Sequence, residues 1–405
     1  MRAIGILQEK LGESLAFLHK KRQAAFWRAV EGLMEGQKLW LTALGRALKG
    51  KCSDKHRIKA IDRLVGSAAF QSSVPVLYAA LASLLLRGIQ RPVILVDWTG
   101  ADPGFAVLSA KLSFRGRALS IFSRTFPKNR KCSPHAEREF LETMRAIVPP
   151  GCTPILVTDA GFLNEWFDSV RAMGWHFVGR LRGRMSVHIA QTWMPLERVH
   201  TLAGRRPRDL GTTLISKKNT RAYRVVLSAR PKKKGRKKLG RNGMPRRSTA
   251  DRQRRAAARE PWVLATSLSD PARVIVEAYG MRMQIEETFR DLKSHRFGWS
   301  AEDIRSKEPK RIDVLLLIAA FASVAMHIVG LAAADRKLQY QFQANTERSR
   351  PVFSSFFLAK LVLDRNRARE LPLQLLRAAF QHLLRLLAAR SLDPQPRRFA
   401  LELHP

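Results

Sequence analysis

Four residues in the last third of the chain have the types and the spacing needed to act on a phosphodiester. The segment YGMRMQIEETFRDLK contains, with gaps of three, four and seven positions, Tyr279, Arg282, Glu286 and Lys293. At about 100° per residue, a single helix places all four within roughly a 60° arc. On such a face a carboxylate can hold a metal ion while the phenol and the two cations bind neighbouring phosphates. Arg282, Glu286 and Arg290 also form the i,i+4 charge ladder of an ordinary solvated helix, so this segment alone does not decide the function.

The net charge of the chain indicates a polyanionic partner. Lys and Arg number 73 against 33 Asp and Glu, which gives a formal charge of +40 and a pI of about 11.4. A chain this basic repels itself unless a polyanion neutralises it, and nucleic acid is the default partner. The basic residues run through the whole length and do not flank one apolar span, which favours DNA over a membrane surface. With 405 residues, 45% of them hydrophobic, the chain can form two or three domains with buried cores.

The cysteines and the N-terminus predict a cytoplasmic protein, which the expected DNA partner places on the nucleoid. Cys52, Cys132 and Cys152 are odd in number, far apart and without a C-x-x-C pair. This usage argues against a disulfide framework and against a cysteine zinc site, and it fits a reducing compartment. The first residues include acids and lack the continuous apolar stretch of an export signal.

One apolar segment has to be weighed as a membrane span. Residues 314–334 contain His327 as their only ionisable side chain, and they are long enough to cross a bilayer. The segment is rich in Ala and lies soon after Glu286, which has to work with groups of a soluble domain. We therefore expect a buried core helix and no membrane partner, with His327 as a satisfied core or edge histidine. A membrane span is the alternative.

The middle of the chain predicts a ribonuclease H-like α/β domain. The predicted order is strand, strand, strand, helix, strand, helix, strand, at residues 93–96, 105–114, 118–126, 135–147, 154–158, 162–173 and 175–181. This is the order of the ribonuclease H-like fold, a mixed sheet with flanking helices in which the first and fourth strands are neighbours. Asp97 and Asp159 follow two of these strands, at the edge where open α/β sheets place ligands. An Asp after a strand is also a common entry to a turn, which is the alternative for each residue.

The whole chain is predicted to have three regions. Residues 1–73 are interpreted as a helical DNA-binding region, with a solvated helical cap as the alternative. Residues 74–305 form the ribonuclease H-like catalytic domain, interrupted by a β-rich insertion at about 183–260. Residues 306–405 form a C-terminal helical region.

The insertion ends in a strongly basic tract. Residues 230–255 hold 13 Lys and Arg against one acid, Asp251. Such a tract cannot bury enough apolar area to fold alone, and we interpret it as an electrostatic arm for the DNA backbone. A targeting signal or a contribution to solubility is the alternative. A strand at 261–268 and a helix at 271–295, which carries Glu286, then close the domain.

These residues together resemble the fourth insertion-sequence family of bacterial transposases, within the aspartate-aspartate-glutamate (DDE) class. The spacing of Tyr279, Arg282, Glu286 and Lys293 looks like the Y-R-E-K signature of that family. Six further segments look similar to blocks that occur in the family in the same order: KHRIKAIDRLVGS (55–67), VDWTG (96–100), VTDAGF (157–162), GWHFVGRLRG (174–183), PWVLAT (261–266) and RSKEPKRIDVLLLIAAFA (305–322). The resemblance covers roughly residues 40–350.

The resemblance implies a catalytic triad and a metal cofactor. By resemblance, Asp97, Asp159 and Glu286 coordinate two Mg²⁺ ions, which Mn²⁺ can replace, and Asp97 is the expected bridge. Two metals about 4 Å apart stabilise the entering and leaving oxygens of an in-line displacement at phosphorus. Three carboxylates repel one another without a metal, so metal affinity should fall as the pH drops.

The family also implies a reaction and its DNA partners. The expected steps are recognition of terminal inverted repeats, nicking, hairpin formation by the freed 3′-hydroxyl, hairpin opening and strand transfer into target DNA. The expected catalyst is a homodimer, and its partner is double-stranded DNA. Tyr279, Arg282 and Lys293 are expected to bind phosphates near the cut end. A hairpin forms more easily when a base leaves the stack, and Trp262 is the candidate platform for that base, with a core tryptophan as the alternative.

Two other functions stay open at this point. The first is a sequence-specific DNA-binding protein or regulator without cleavage activity, such as an inactive transposase. The second is a ribonuclease H-like nuclease that hydrolyses DNA without joining it. Trp98, beside Asp97, is expected to pack in the core and is left out of the site.

Overall fold

The computed structural model describes residues 2–101, 104–229, 260–344, 346–347 and 349–393. The chain is mixed α/β and divides into two compact units. The first unit comprises Met1–Ile155 and Met281–Pro405, and the second comprises Leu156–Gly280. These units do not coincide with the three predicted regions, whose functional boundaries stay a prediction. The predicted basic tract at 230–255 lies outside the described residues.

Ten strands and fifteen α-helices occur in the described parts of the chain. The strands are β1 (Val93–Ala101), β2 (Phe105–Phe114), β3 (Arg117–Pro127), β4 (Ile155–Thr158), β5 (His176–Leu181), β6 (Ser186–Ile189), β7 (Thr192–Pro195), β8 (Arg208–Ile215), β9 (Arg221–Ser228) and β10 (Trp262–Thr266). The helices are α1 (Arg2–Leu11), α2 (Lys20–Gly36), α3 (Leu41–Ala47), α4 (Asp54–Gly66), α5 (Ala68–Gln71), α6 (Val74–Leu85), α7 (Pro134–Ile147), α8 (Asn164–Ala172), α9 (Leu196–His200), α10 (Ala272–Gly280), α11 (Met283–Lys293), α12 (Pro309–Asp335), α13 (Gln339–Phe342), α14 (Ser355–Asp364) and α15 (Leu373–Ala388). The order β1, β2, β3, α7, β4, α8, β5 is the predicted one.

The helix α12, the longest among the described residues, is the core of the first unit. Its most apolar stretch is 94% buried, and the ring of Phe321 meets that of Phe26 edge-on at 4.9 Å. His327 is buried, its Nδ1 lies 2.8 Å from Ser355 Oγ, and burial lowers its pKa to about 3, so the imidazole is neutral. The predicted core helix with a satisfied histidine is confirmed. By length and composition alone, α12 and the stretch Ala68–Leu85 are both long and apolar enough to cross a membrane; 44% of Ala68–Leu85 is buried.

The strands of the first unit form an antiparallel meander in the order β3-β2-β1. The predicted hairpin is confirmed: Arg115 and Gly116, with φ of +30° and +80°, connect β2 to β3 as a tight turn with positive φ at both positions. The expectation that the first strand stops at Asp97 is wrong. Asp97 pairs with Ser109, and β1 continues to Ala101 because the residues after Asp97 keep pairing with β2.

The second unit is built around its own strands, in the order β4-β5-β10-β9-β8-β6-β7. Its core contains Phe167 stacked on Phe177 at 4.4 Å, with Tyr223 edge-on to both rings. The strands predicted inside the insertion are present. Through the antiparallel pairing of β9 with β10, they continue the sheet that contains β5. Asp159 directly follows β4, as predicted.

Candidate active site

The single helix predicted over 271–295 is two helices. The helix α10 ends at Gly280, and α11 follows with Arg282 in its N-cap position. Glycine is among the weakest helix formers, which is consistent with an end at this residue. Tyr279 therefore lies on a different helix from Glu286. The prediction that one helix face carries all four signature residues is wrong for Tyr279.

Arg282 joins two of the predicted acids within the first unit. Its Nη2 donates to Glu286 Oε1 at 2.6 Å, and its Nη1 lies 3.4 Å from Asp97 Oδ2. The side chains of Arg282 and Asp97 are only 13% and 15% exposed, whereas that of Glu286 is 43% exposed. A carboxylate on β1 and one on α11, far apart in sequence, thus converge on one guanidinium. The resemblance predicted these acids as two members of a three-carboxylate site with Asp159, but not that Arg282 would bind both.

Glu287 and Trp98, which are the sequence neighbours of Glu286 and Asp97, have structural partners. Glu287 pairs with Arg290 at 2.9 Å, so it is Glu286 and not Glu287 that faces Asp97. Trp98 is 8% exposed and its indole N–H donates to Glu137 at 3.3 Å. The expectation that Trp98 packs in the core is confirmed.

Lys293, the last residue of α11, lines a cavity of about 160 Å³ in the first unit. The cavity begins at the end of β1, where Thr99 and Gly100 line it, and Lys128 is a second lysine in its lining. Its other walls are mostly apolar and include Phe105. Lys128 was not predicted as a site residue. Its one sequence signal is its place in the short basic run 128–131.

The predicted site residues of the second unit are Asp159, Trp262 and Tyr279. Asp159 Oδ1 accepts a hydrogen bond from the Gly161 N–H at 2.8 Å, which fixes the turn after β4. Trp262 begins β10 and is half-buried, and its ring meets the ring of Tyr279 edge-on at 4.8 Å. Tyr279 is 3% exposed, so its phenol is not at the surface in this structure.

The carboxylates of Asp97 and Glu286 in the first unit are chemically suited to bind a divalent cation. Hard carboxylate oxygens are the ligands that Mg²⁺ prefers, and the oxygens of Asp97 and Glu286 already face one positive group. Across the part of the chain that the structure describes, no three or more His, Cys, Asp or Glu side chains form a group able to hold a metal. The three-carboxylate site with Asp159 therefore stays a prediction.

Comparison with known families identifies the family of the chain. The family model described as the transposase DDE domain matches residues 112–323, which is more than half of the 405 residues and includes Asp159 and Glu286. Asp97 lies upstream of the matched residues. No curated protein matches the chain. On the extent of the family match, this chain belongs to the transposases that carry a DDE domain.

Proposed function

We propose that this transposase moves an insertion sequence by cut and paste, as the fourth insertion-sequence family does. The observation that carries the proposal is the convergence of Asp97 and Glu286 on Arg282, at 3.4 and 2.6 Å. Asp97 lies on β1 and Glu286 on α11, far apart in the sequence, so it is the fold that brings these carboxylates to one cation. The Y-R-E-K spacing and the ordered blocks around it support the assignment to this family.

Asp97, Asp159 and Glu286 are the proposed ligands of two Mg²⁺ ions, for which Mn²⁺ can substitute. When bound, the ions activate the attacking hydroxyl and neutralise charge on the scissile phosphate. Asp97 is held by the β1–β2 pairing and Glu286 by α11. Arg282 keeps these two carboxylates from repelling one another and releases one or both when a cation competes for them.

The DNA end is proposed to lie along the cations of α11 and its surroundings. Arg282 can bind a phosphate through two parallel hydrogen bonds, and Lys293 adds a point charge at the other end of the helix. Tyr279 is buried against Trp262, so we expect it to reach a phosphate only after a rearrangement around that indole. Trp262 is the proposed platform for a base that leaves the stack during hairpin formation.

The remaining DNA contacts are assigned to basic surfaces. The helix α4 exposes Lys55, Lys59 and Arg63, and with the rest of residues 1–73 it is proposed to bind the inverted repeats. The net charge of +40 supports DNA as the partner and the nucleoid as the location. Cutting two ends in concert requires two active sites, so we propose a homodimer in the DNA complex.

The proposal is tested with linear DNA that ends in the inverted repeats flanking the gene. Purified protein is incubated with this DNA, with and without Mg²⁺, and the strands are resolved on denaturing gels. The expected result is Mg²⁺-dependent nicking at the repeat end, then hairpin ends and joined products with target DNA. Binding without any nick would identify a regulator or inactive transposase, and nicks without hairpins or joined products would identify a nuclease.

A further inference from the structure

The inner face of α11 is attached to the end of the β2–β3 hairpin by side chains that accept hydrogen bonds from the strands. Gln284 Oε1 accepts from the Phe114 N–H at 2.9 Å and from Ser113 Oγ at 3.0 Å. Thr288 Oγ1 accepts from the Ala118 N–H at 2.7 Å. One turn further on, the carboxylate of Asp291 accepts from the guanidinium of Arg117. The latch residues, as we call Gln284, Thr288 and Asp291, thus bind both sides of one hairpin turn.

The latch residues and Glu286 occupy opposite faces of the same helix. Positions 284, 288 and 291 fall within about 60° of one another, whereas position 286 is about 200° away from 284. The helix therefore has one face bonded to the hairpin and the opposite face presenting the carboxylate. A one-residue slip of α11 would rotate Glu286 by about 100° and move it about 1.5 Å along the axis.

The hairpin that the latch residues bind is also the one with which the strand of Asp97 is paired. Asp97 pairs with Ser109 on β2, and Ser113 lies four residues further along that strand. A continuous path of strand pairing, backbone and hydrogen bonds therefore leads from Asp97 along β2 to Gln284, and along α11 to Glu286. The separation of the two carboxylates is fixed by this route as well as by Arg282.

The hairpin residues that the latch binds are buried, with Ser113 2% exposed and Phe114 and Ala118 fully buried, so water cannot easily replace its bonds. Asp291 is 6% exposed and Lys111 beneath it is 3% exposed. Lys111 Nζ donates to Ser120 Oγ at 2.6 Å and lies 5.2 Å from the centre of the Phe289 ring. In such surroundings a donor left without its acceptor costs the full desolvation of that group.

We propose that Gln284, Thr288 and Asp291 are positioning residues that hold Glu286 in register with Asp97 for catalysis. The inference rests on the proposed function, in which Glu286 is catalytic. Catalytic groups must be held to within a fraction of an ångström, and a misplacement of about 1 Å can reduce a rate about 100-fold. The latch accordingly supports the rate of the chemical step more than it supports DNA binding.

The test compares pairs of variants that differ in a single acceptor. Thr288→Val keeps the shape of the side chain and removes the acceptor for Ala118, whereas Thr288→Ser keeps the hydroxyl. Gln284→Leu removes the acceptor for Phe114 and Ser113, whereas Gln284→Glu keeps it. Each protein is assayed for single-turnover cleavage at saturating DNA, for the Mg²⁺ concentration that gives half-maximal rate, for DNA affinity and for melting temperature.

We expect Thr288→Val and Gln284→Leu to cleave about tenfold or more slowly, to need more Mg²⁺ and to bind DNA within about twofold of wild type. Thr288→Ser and Gln284→Glu should cleave at nearly the wild-type rate. Ser133→Ala, which removes the N-cap of α7, controls for a stability loss of similar origin away from the latch. It should lower the melting temperature without slowing cleavage.

Two results would overturn the inference. In the first, Thr288→Val and Gln284→Leu melt earlier but cleave at the wild-type rate with an unchanged Mg²⁺ requirement. In the second, Ser133→Ala slows cleavage as much as they do. Failure of the proposed function itself looks different, because either the wild-type protein would then not cleave at all, or Glu286→Ala would cleave normally whatever the latch variants do.

Discussion

At the scale of single residues, Arg282 both holds the acids and is a proposed phosphate ligand. Its guanidinium satisfies Asp97 and Glu286 together, so these side chains are compatible with a folded protein before DNA or metal binds. The same guanidinium competes with any cation for the two carboxylates. The proposed site therefore uses one residue to stabilise the resting state and to bind the substrate.

Replacing Arg282 by Ala should separate these effects. Mg²⁺ should bind the DNA-free protein about fivefold more tightly, because a partly exposed ion pair of roughly 1 kcal/mol no longer competes. Cleavage should slow, since the side chain that binds the phosphate is removed. Isothermal titration calorimetry measures the affinity, and Arg273→Ala, which removes an exposed arginine paired with Glu277, is the control. Weaker metal binding by Arg282→Ala would contradict the competition.

Lys111 should make the stability of the protein rise with pH. Burial lowers its pKa from 10.5 to about 7, although Asp291 acts in the opposite direction. Between pH 7 and 10.5 the unfolded chain binds a proton that the folded chain does not hold, so the free energy of unfolding increases with pH over this window. The slope is at most about 1.4 kcal/mol per pH unit.

Urea unfolding of wild type and Lys111→Met at pH 7, 8 and 9 checks this dependence. The stability difference, wild type minus Lys111→Met, should grow with pH, because the methionine cannot titrate. Other ionisable groups contribute equally to both proteins and cancel in the difference. Parallel pH profiles of the two proteins would show that Lys111 is not shifted.

At the scale of the elements, the core helix α12 depends on close backbone approach. A Cβ added at Gly330 would lie 1.8 Å from the carbonyl oxygen of Ser355 at the start of α14. A Cβ at Gly280 would meet no atom within 4 Å. The two glycines therefore serve different purposes, one in packing and one at a helix end.

Replacing each glycine by Ala should have opposite effects on stability. Gly330→Ala should destabilise the protein by about 1–3 kcal/mol, because α12 and α14 must move apart. Gly280→Ala should stabilise it by about 0.4–1 kcal/mol, since the backbone accepts Ala there and the unfolded chain loses freedom. Chemical denaturation measures both changes. Equal effects of the two substitutions would show that the approach of α12 to α14 is not tight.

Most elements were predictable because their signal is local. The runs of β-branched residues before Asp97 and Asp159, and the turn at Arg115 and Gly116, mark strands and a hairpin without tertiary information. The break after Gly280 was missed because the apolar period continues across it. The extension of β1 beyond Asp97 was missed because it depends on pairing with β2, which polar residues such as Thr99 do not reveal.

The candidate site was predictable only in part, because some of its contacts depend on how separate elements meet. Asp97 and Asp159 could be named from the ordered blocks that resemble the transposase family, and Glu286 from the Y-R-E-K spacing. The pairing of Arg282 with both Asp97 and Glu286 depends on where β1 and α11 meet. The spacing of these residues in the sequence does not reveal that contact. The latch was missed because Gln284 and Thr288 bond mainly to strand N–H groups, which leave no mark in the sequence.

At the scale of the whole molecule, the charge of +40 sets how the protein meets DNA. Each phosphate neutralised by Lys or Arg releases counterions, so affinity falls steeply as salt rises. The basic tract at 230–255, with 13 Lys and Arg, is proposed to neutralise several phosphates in this way. It lies outside the described residues, so its contribution has to be measured in solution.

Replacing residues 230–255 by a Gly/Ser linker of equal length should lower DNA affinity and flatten its salt dependence. The slope of log K against log salt should fall by about 0.9 for each phosphate that the protein no longer neutralises. Filter binding over a range of KCl concentrations measures the slope. A variant with every Lys in the tract changed to Arg keeps the charge and should therefore keep the wild-type slope. An unchanged slope in the linker variant would mean that the tract does not contact DNA.

The most direct measurement is cleavage of repeat-end DNA in Mg²⁺ by four single variants, with DNA binding recorded for each. Asp97→Ala, Asp159→Ala and Glu286→Ala should each abolish cleavage and still bind the DNA, because the positive surface persists. Glu287→Ala, which changes the neighbouring acid paired with Arg290, should cleave normally. Cleavage by any of the three acid variants at the wild-type rate, or its loss in Glu287→Ala alone, would contradict a shared site formed by these carboxylates.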